Sequence, residues 1–260
     1  NEQIRWFDRR LRGIENGIDE EPPVRIFVMG DNVWRSESEW PLARTQFTKF
    51  YIASEDNANS LHGGGCITKE KPKHPGVDKY SYNPENPVPT LGGPMMHADY
   101  VGPADRRPVE RRDDVLVYTS RPLEVDMEIT GPVTMTLFAS SSAKDTDFAA
   151  TLVDVHPDGR ALNICEGLIR ARFRDSIESP TLIEPGQTYE YTIDMWETSN
   201  VFKKGHRIRL DVTSSNFPRF DRNLNTGNRP GMDAEMMEAN QAVHFGGQYP
   251  SHVTLPIIPR

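Results

Sequence analysis

Acyl transfer needs a nucleophile, a base beside it and a carboxylate that orients the base. This chain has no Gly-x-Ser-x-Gly elbow on which to raise a serine nucleophile. Its serine clusters, Ser140-Ser141-Ser142 and Ser214-Ser215, fall at the ends of strand patterns. Hydroxyls in such places ordinarily bond backbone. The seven histidines are scattered, mostly in loop segments, and none adjoins a convincing Ser or Cys nucleophile. His156 stands just before a turn and His206 follows Gly205 at a strand start, so both read as structural.

Metal and phosphate chemistry fare no better. No Cys-x-x-Cys or His-x-x-x-His spacing occurs, which argues against zinc. Asp221-Arg222-Asn223-Leu224-Asn225-Thr226-Gly227 comes near a calcium loop, with oxygen side chains at alternate positions. Its glycine falls one place late, however, and Met232 stands where the bidentate glutamate belongs. An Asx-rich turn is the better reading. Asp145-Thr146-Asp147 precedes a strand and suits capping of nearby amides. Gly63-Gly64-Gly65 lacks the Lys-Ser/Thr and the helix of a phosphate loop. No cofactor and no metal are therefore expected.

The elements available to hold any site are mostly strands. Residues 1–17 are the exception: Ile4, Phe7, Leu11 and Ile14 recur at helical spacing, and Gly17 supplies a stop. Asp19-Glu20-Glu21-Pro22-Pro23 cannot continue a helix and reads as a linker. That apolar stripe has no later helix to meet, so it should pack on the sheet or on something outside the chain. From Val24 the period changes to two. Strands are predicted over 24–28, 49–53, 79–82, 115–120, 125–130, 133–139, 148–155, 161–173, 189–195, 208–214 and 253–258. Turns are expected at Gly131-Pro132, Pro157-Asp158-Gly159, Glu184-Pro185-Gly186 and Lys204-Gly205. The strands flanking Pro157-Asp158-Gly159 form an antiparallel hairpin in this reading. A short helix is predicted over 234–243, where Met236, Met237 and Ala239 sit among polar residues. Ten or more short strands with little helix imply a sandwich, jelly roll or barrel. Residues 54–113 are rich in Asn, Gly and Pro, and loops of that length are commonly functional.

Composition narrows the partners. The chain has 260 residues, 36% hydrophobic, enough for a sizeable core. Thirty basic against 38 acidic groups give −8, with no basic patch for nucleic acid or an anionic membrane. No apolar run reaches membrane-span length, and the start lacks the pattern of a signal peptide. Cys66 and Cys165 are the only cysteines, so no disulfide framework is written here; one bridge between them stays open, and a reduced cytoplasmic chain fits at least as well.

Several segments together resemble the cocaine-esterase-like serine hydrolases, the family that also holds X-Pro dipeptidyl peptidases, glutaryl acylases and α-amino-acid ester hydrolases. Trp6-Phe7-Asp8-Arg9-Arg10-Leu11-Arg12-Gly13 is similar to the last helix of their catalytic domain. Val24-Arg25-Ile26-Phe27-Val28-Met29-Gly30, with Trp34-Arg35 and Trp40-Pro41, is similar to the entry into their C-terminal domain. The likeness continues through Pro87-Val88-Pro89-Thr90-Leu91-Gly92-Gly93, Gly102-Pro103-Ala104-Asp105, Asp114-Val115-Leu116 and the run from Ser140 to Phe148. It extends through the run from Leu152 to Arg160, Gly205-His206-Arg207-Ile208 and the run from Ser214 to Asn223.

The resemblance implies an all-β jelly-roll sandwich, galactose-binding-domain-like, over 24–260. Residues 1–23 would then be a terminal helix and linker left over from an α/β-hydrolase domain. In such enzymes the triad lies upstream of the helix, so no catalytic residue carries over. The implied partners are the chain's own hydrolase and cap domains and a small acyl ester or amide substrate, with room for a homodimer. The implied role is a non-nucleophilic domain that helps wall the acyl pocket of a serine esterase or acylase. The loop Pro94-Met95-Met96-His97-Ala98-Asp99-Tyr100 would approach substrate, making Met95, Met96 and His97 the candidate pocket wall. Two adjacent methionines make a soft apolar surface; their bland alternative is to plug the sandwich end. The competing class is a carbohydrate- or small-ligand-binding module, with Trp34, Trp40 and Trp196 as aromatic platforms.

Overall fold

A computed structural model describes residues 2–95 and 101–260. Thirteen strands carry the fold among them. They are β1 (Val24–Val28), β2 (Val33–Glu37), β3 (Gln46–Ser54), β4 (Gly65–Thr68), β5 (Gly76–Tyr82), β6 (Leu116–Thr119) and β7 (Met127–Ser141). After these come β8 (Asp147–Val155), β9 (Ala161–Arg170), β10 (Tyr189–Phe202), β11 (Arg207–Thr213), β12 (Ala239–Phe245) and β13 (His252–Ile258). β1 and β2 form a hairpin of their own, and the other eleven make one continuous jelly-roll sheet. Its order is β5-β12-β7-β13-β3-β4-β6-β11-β8-β9, with β10 on the free edge of β7. Among the named strands every pairing is antiparallel except one bridge between β4 and β6.

Strand β7 organises the sandwich. One edge pairs with β10 along its whole length, and the other pairs with β12 near Ser141 and with β13 near Glu128. The interior is apolar and closed: Ile129, Met135, Leu137, Phe148, Leu152, Tyr191, Ile193, Ile208, Leu210, Val253 and Leu255 have no exposed surface. Each such side chain is worth roughly 1.5–3 kcal/mol when fully buried. Val88 and Val109 of the long 54–113 segment form a second small core with Val115 and Val117, so that segment packs on the sandwich at these residues.

Three sequence expectations need correction. The helix predicted over 234–243 is strand β12, because Ala239, Gln241, Val243 and Phe245 are buried alternately and only a period of two achieves that. Met236 and Met237, which suggested a helical face, are exposed ahead of the strand. The turn predicted at Gly131-Pro132 does not exist; β7 runs through it. Both neighbouring strands shift register there, between Asp194 and Glu197 and between Thr254 and Ile257. The amide hydrogen that Pro132 lacks is thus asked for at the place where the ladders are already irregular. Finally, α1 (Glu2–Arg12) stops at Gly13, whose φ of 66° is left-handed, rather than at Gly17.

The helix buries nothing. Ile4, Phe7, Leu11 and Ile14 are all exposed, and polar contacts hold the segment instead. Arg5 pairs with Glu21 at 2.5 Å, Arg9 with Asp19, and Arg25 of β1 with Glu2 at 3.3 Å. No helix among the described residues is long and apolar enough to cross a membrane.

Candidate functional site

The loop singled out by the sequence springs from a backbone clasp. The Gly93 amide donates to the Gly102 carbonyl at 2.8 Å, and the Gly102 amide returns the bond at 2.9 Å. Only glycine fits at Gly92: its φ is 68°, and a Cβ there would stand 2.4 Å from the Gly102 carbonyl oxygen. Met95 is half-buried and donates its amide to the Gly93 carbonyl at 3.0 Å. Met96 and His97, the rest of the expected pocket wall, lie outside the described residues.

Beside the clasp lies a cleft of about 370 Å³, bounded by Met29, Pro94, Val101, Ile164, Met195 and Trp196. Met95 does not line it. Trp196 owes its position to the irregularity in β10: its φ of 66° puts it in a bulge, its amide donates to Asp194 Oδ1 at 2.9 Å, and its ring faces out. Sequence reasoning had Trp196 only as a sugar platform; nothing local signals the bulge. The cleft also contains two carboxylates, those of Glu166 and Glu197. Glu166 is buried, with Oε1 paired to Arg219 and Oε2 without a hydrogen-bond partner. An apolar wall with two carboxylates suits a ligand or chain segment that is mostly apolar and offers hydrogen-bond donors.

The other two platforms differ. Trp34 is exposed on β2, but the Arg25 guanidinium lies over its ring at 5.0 Å and Phe27 meets its edge. Trp40 is half-buried. Trp34 and Phe27 belong to the lone hairpin, which touches the main sheet through a bridge from Met29 to Asn200. The exposed helix face, hairpin and Trp196 cleft are thus joined by Arg25, Met29 and β10.

The remaining sequence candidates are structural. Ser141 Oγ accepts from the Ala143 amide at 3.1 Å, Ser142 Oγ from Asn240 at 2.9 Å, and Ser215 Oγ from Val88 at 2.8 Å. Ser214 Oγ pairs with the Tyr80 hydroxyl at 2.8 Å. Asp145 caps the Arg172 amide at 2.9 Å, as expected of it, but both acids of its motif mainly serve guanidinium groups. Arg172 Nε donates to Asp145 at 2.8 Å and Arg170 Nε to Asp147 at 2.8 Å. Asn223 Nδ2 bridges Asp145 and Asp147 at 2.9 and 2.8 Å, and its own Oδ1 accepts the Asn225 amide at 3.0 Å in an Asx turn. Asn223, the middle side chain of the calcium-like loop, is thereby committed to structure.

Two constellations escaped the sequence reading. Arg106, Glu110, Arg209 and Asp211 are buried together, with Arg106 Nε 2.8 Å from Asp211 and Arg209 Nη1 2.6 Å from Glu110. Burial, then the neighbouring Asp211 charge, pushes the Glu110 carboxyl up to about 8. His156 and His206, read as unrelated structural residues, meet each other: their rings lie 4.3 Å apart, with His206 Nδ1 2.8 Å from Asp154 Oδ1.

Residues 16–254 match the X-Pro dipeptidyl-peptidase C-terminal non-catalytic domain. The chain is 49% identical over 258 residues to cocaine esterase of Rhodococcus sp. (strain MB1 Bresler), covering 98% of this chain and 45% of that protein. Its fold matches a crystal structure of an aminopeptidase from a marine sediment Thaumarchaeota archaeon, with a TM-score of 0.85 and 28% identity, over 100% of this chain and 44% of that one. It also matches an α-amino acid ester hydrolase, with a TM-score of 0.82 and 26% identity, over 97% of this chain and 43% of that one. The chain therefore spans less than half the length of these relatives.

Proposed function

Since the chain belongs to the X-Pro dipeptidyl-peptidase C-terminal non-catalytic domain family, whose cocaine-esterase-like branch it resembles, we propose that it is the docking and specificity domain of a serine esterase or acylase. In this reading residues 1–23 belong with an α/β-hydrolase domain, and 24–260 form the jelly roll that packs on that domain and its cap. The loop that carries Met95, Met96 and His97 walls the acyl pocket. Ester or amide hydrolysis is then a property of the longer protein, and the 260-residue chain contributes shape rather than a nucleophile.

The supporting observation is the helix α1. Ile4, Phe7 and Leu11, at helical spacing and none of them buried, make a helix that its own fold does not stabilise. Helices this short are marginal in water without a tertiary partner. The hydrolase domain is the partner the family supplies, and the neighbouring exposed Phe27, Trp34 and Trp196 extend the same surface.

Amide exchange tests it. In a polypeptide carrying the hydrolase part ahead of residue 1, residues 4–14, 25–35 and 194–197 should exchange far more slowly than in the 260-residue chain. Equal exchange in the two would refute docking through this surface. Separately, the 260-residue chain should not hydrolyse p-nitrophenyl esters above background, and a fluorophosphonate probe that labels one of its serines stoichiometrically would overturn the assignment. Clear sugar binding on a glycan array would favour the carbohydrate-module reading instead.

A further inference from the structure

Strand β8 alternates its side chains, so Asp154 and His156 point to one face, the face that Leu152 occupies further along. Strand β11 runs antiparallel beside it, with Ile208 opposite Asp154 and Arg207 opposite Val155. His206, one residue before Arg207, is thereby set against His156. The three side chains gather where the apolar interior of Leu152, Ile208 and Leu210 ends. Asp154 is buried, and both histidines keep part of their surface open.

Here one imidazole nitrogen from each histidine and one carboxylate oxygen lie within 4.8 Å of one another. His206 Nδ1 stands 2.8 Å from Asp154 Oδ1, and His156 Nε2 stands 4.0 Å from Asp154 Oδ2. Zinc bonds of about 2.0–2.2 Å at tetrahedral angles place donors about 3.3 Å apart. The short pair must open and the longer ones close by less than about 1.5 Å, within reach of side-chain rotation on fixed strands. The backbone that holds the histidines is already committed: His156 donates its amide to the Arg160 carbonyl at 2.8 Å, and His206 to Lys203 at 2.9 Å. The nearby Arg160 cation is neutralised by Asp158 at 2.7 Å, so it does not oppose a second positive charge. His156 also lines an open cleft of about 510 Å³, which leaves room for a water as a fourth ligand.

We propose that Asp154, His156 and His206 form a divalent transition-metal site, with zinc as the ion that this two-imidazole, one-carboxylate donor set fits best. The site clips the β8–β9 turn to the start of β11, and its fourth position stays open to solvent. Neither Cys-x-x-Cys nor His-x-x-x-His spacing is needed, because strand pairing rather than local sequence assembles the ligands.

Calorimetric titration of chelator-treated protein with Zn²⁺ alone tests this. One equivalent should bind, with micromolar affinity or tighter. The His156→Ala variant, altered at a half-exposed turn position, should bind at least about 100-fold more weakly, as should His206→Gln. Far-UV circular dichroism of each variant verifies that the fold survives. Co²⁺ should give intense visible bands of a four-coordinate site in the parent, and these should be lost in His156→Ala. Zinc binding no tighter than millimolar would overturn the proposal. So would tight binding that persists in His156→Ala, or that disappears in the control His74→Ala, a change at an exposed histidine ahead of β5 that is not part of the cluster.

Discussion

The hairpin β8–β9 allows a sharp test, since two substitutions a few residues apart should fail for different reasons. Leu152 has no exposed surface and sits mid-strand, with Leu210 of β11 on one side and Cys165 of β9 on the other. Truncation to alanine leaves a cavity that two flanking ladders prevent from collapsing, so Leu152→Ala should cost about 3–5 kcal/mol. Gly159 is different. Its φ is 88°, and a Cβ there would find nothing nearer than Arg107 Nη1 at 3.8 Å. No clash arises, only the left-handed backbone penalty, so Gly159→Val should cost roughly 1–2 kcal/mol. For a domain of this size each kcal/mol moves the midpoint by about 2–4 °C. Calorimetric melts should therefore place Leu152→Ala roughly 6–20 °C below the parent and Gly159→Val only a few degrees below it. Gly159→Asn should fall between parent and Val, because asparagine tolerates the left-handed region. A Leu152→Ala melt within about a degree of the parent would refute the burial argument, and an Asn variant worse than Val would refute the backbone one.

Gly167 faces a stricter limit: a Cβ would stand 1.9 Å from the Asp194 carbonyl oxygen of β10, so Gly167→Ala should separate β9 from β10 and cost about 3 kcal/mol or more in urea unfolding. An unchanged urea midpoint would show that these strands are not in contact. Glu110, held up to about 8, keeps a proton that the unfolded chain releases above 4.5, so stability should decline as pH rises from about 4.5 towards 8. Glu110→Gln should flatten that decline, and an identical pH slope in both proteins would exclude Glu110 as its source. Cys66 and Cys165 are free thiols, both raised by burial, so a thiol reagent should count two groups in denaturant and react slowly with the folded chain. Recovery of a disulfide-linked peptide would contradict this.

What was legible in the sequence follows its local periods. The alternation of Val133, Met135, Leu137 and Ala139 put β7 in place, and Pro157-Asp158-Gly159 marked the turn of β8–β9. Local cues misled where tertiary context overrode them. Gly131-Pro132 is a turn signal in any short window, yet the irregular ladders on both sides of β7 absorb it. Met236 and Met237 supplied apolar content without a buried face, while β12 lay a few residues on. The sites were less legible still. Trp196 reaches its cleft through a bulge that no dipeptide announces, and His156 and His206 lie on different strands, joined only by the register of β8 and β11.

The distribution of exposed apolar side chains carries the argument about docking one step further. Scattered exposed apolar residues are normal on any protein surface. Here, though, eight of the nineteen large ones among the described residues occur between Ile4 and Trp34, a small fraction of the chain. Seven of the eight occupy the two elements least able to stand alone: a helix with no buried residue, and a two-stranded hairpin outside the main sheet. An isolated two-stranded hairpin is marginally stable at best in water. The jelly roll, by contrast, closes its own core and meets this segment at its end, through buried Val28, the Met29 backbone bonds to Ser199 and Val201, and the Arg35–Glu128 ion pair at 2.6 Å. In the proposed docking, the free energy for ordering helix α1 comes from a surface outside the sandwich. That dependence predicts an asymmetry: Leu11→Ser in the 260-residue chain should leave its melting midpoint unchanged, whereas the same substitution beside a docked hydrolase domain should loosen the interface. A lowered midpoint in the chain alone would mean that the helix already packs on the sandwich, and the docking surface would then have to be sought elsewhere.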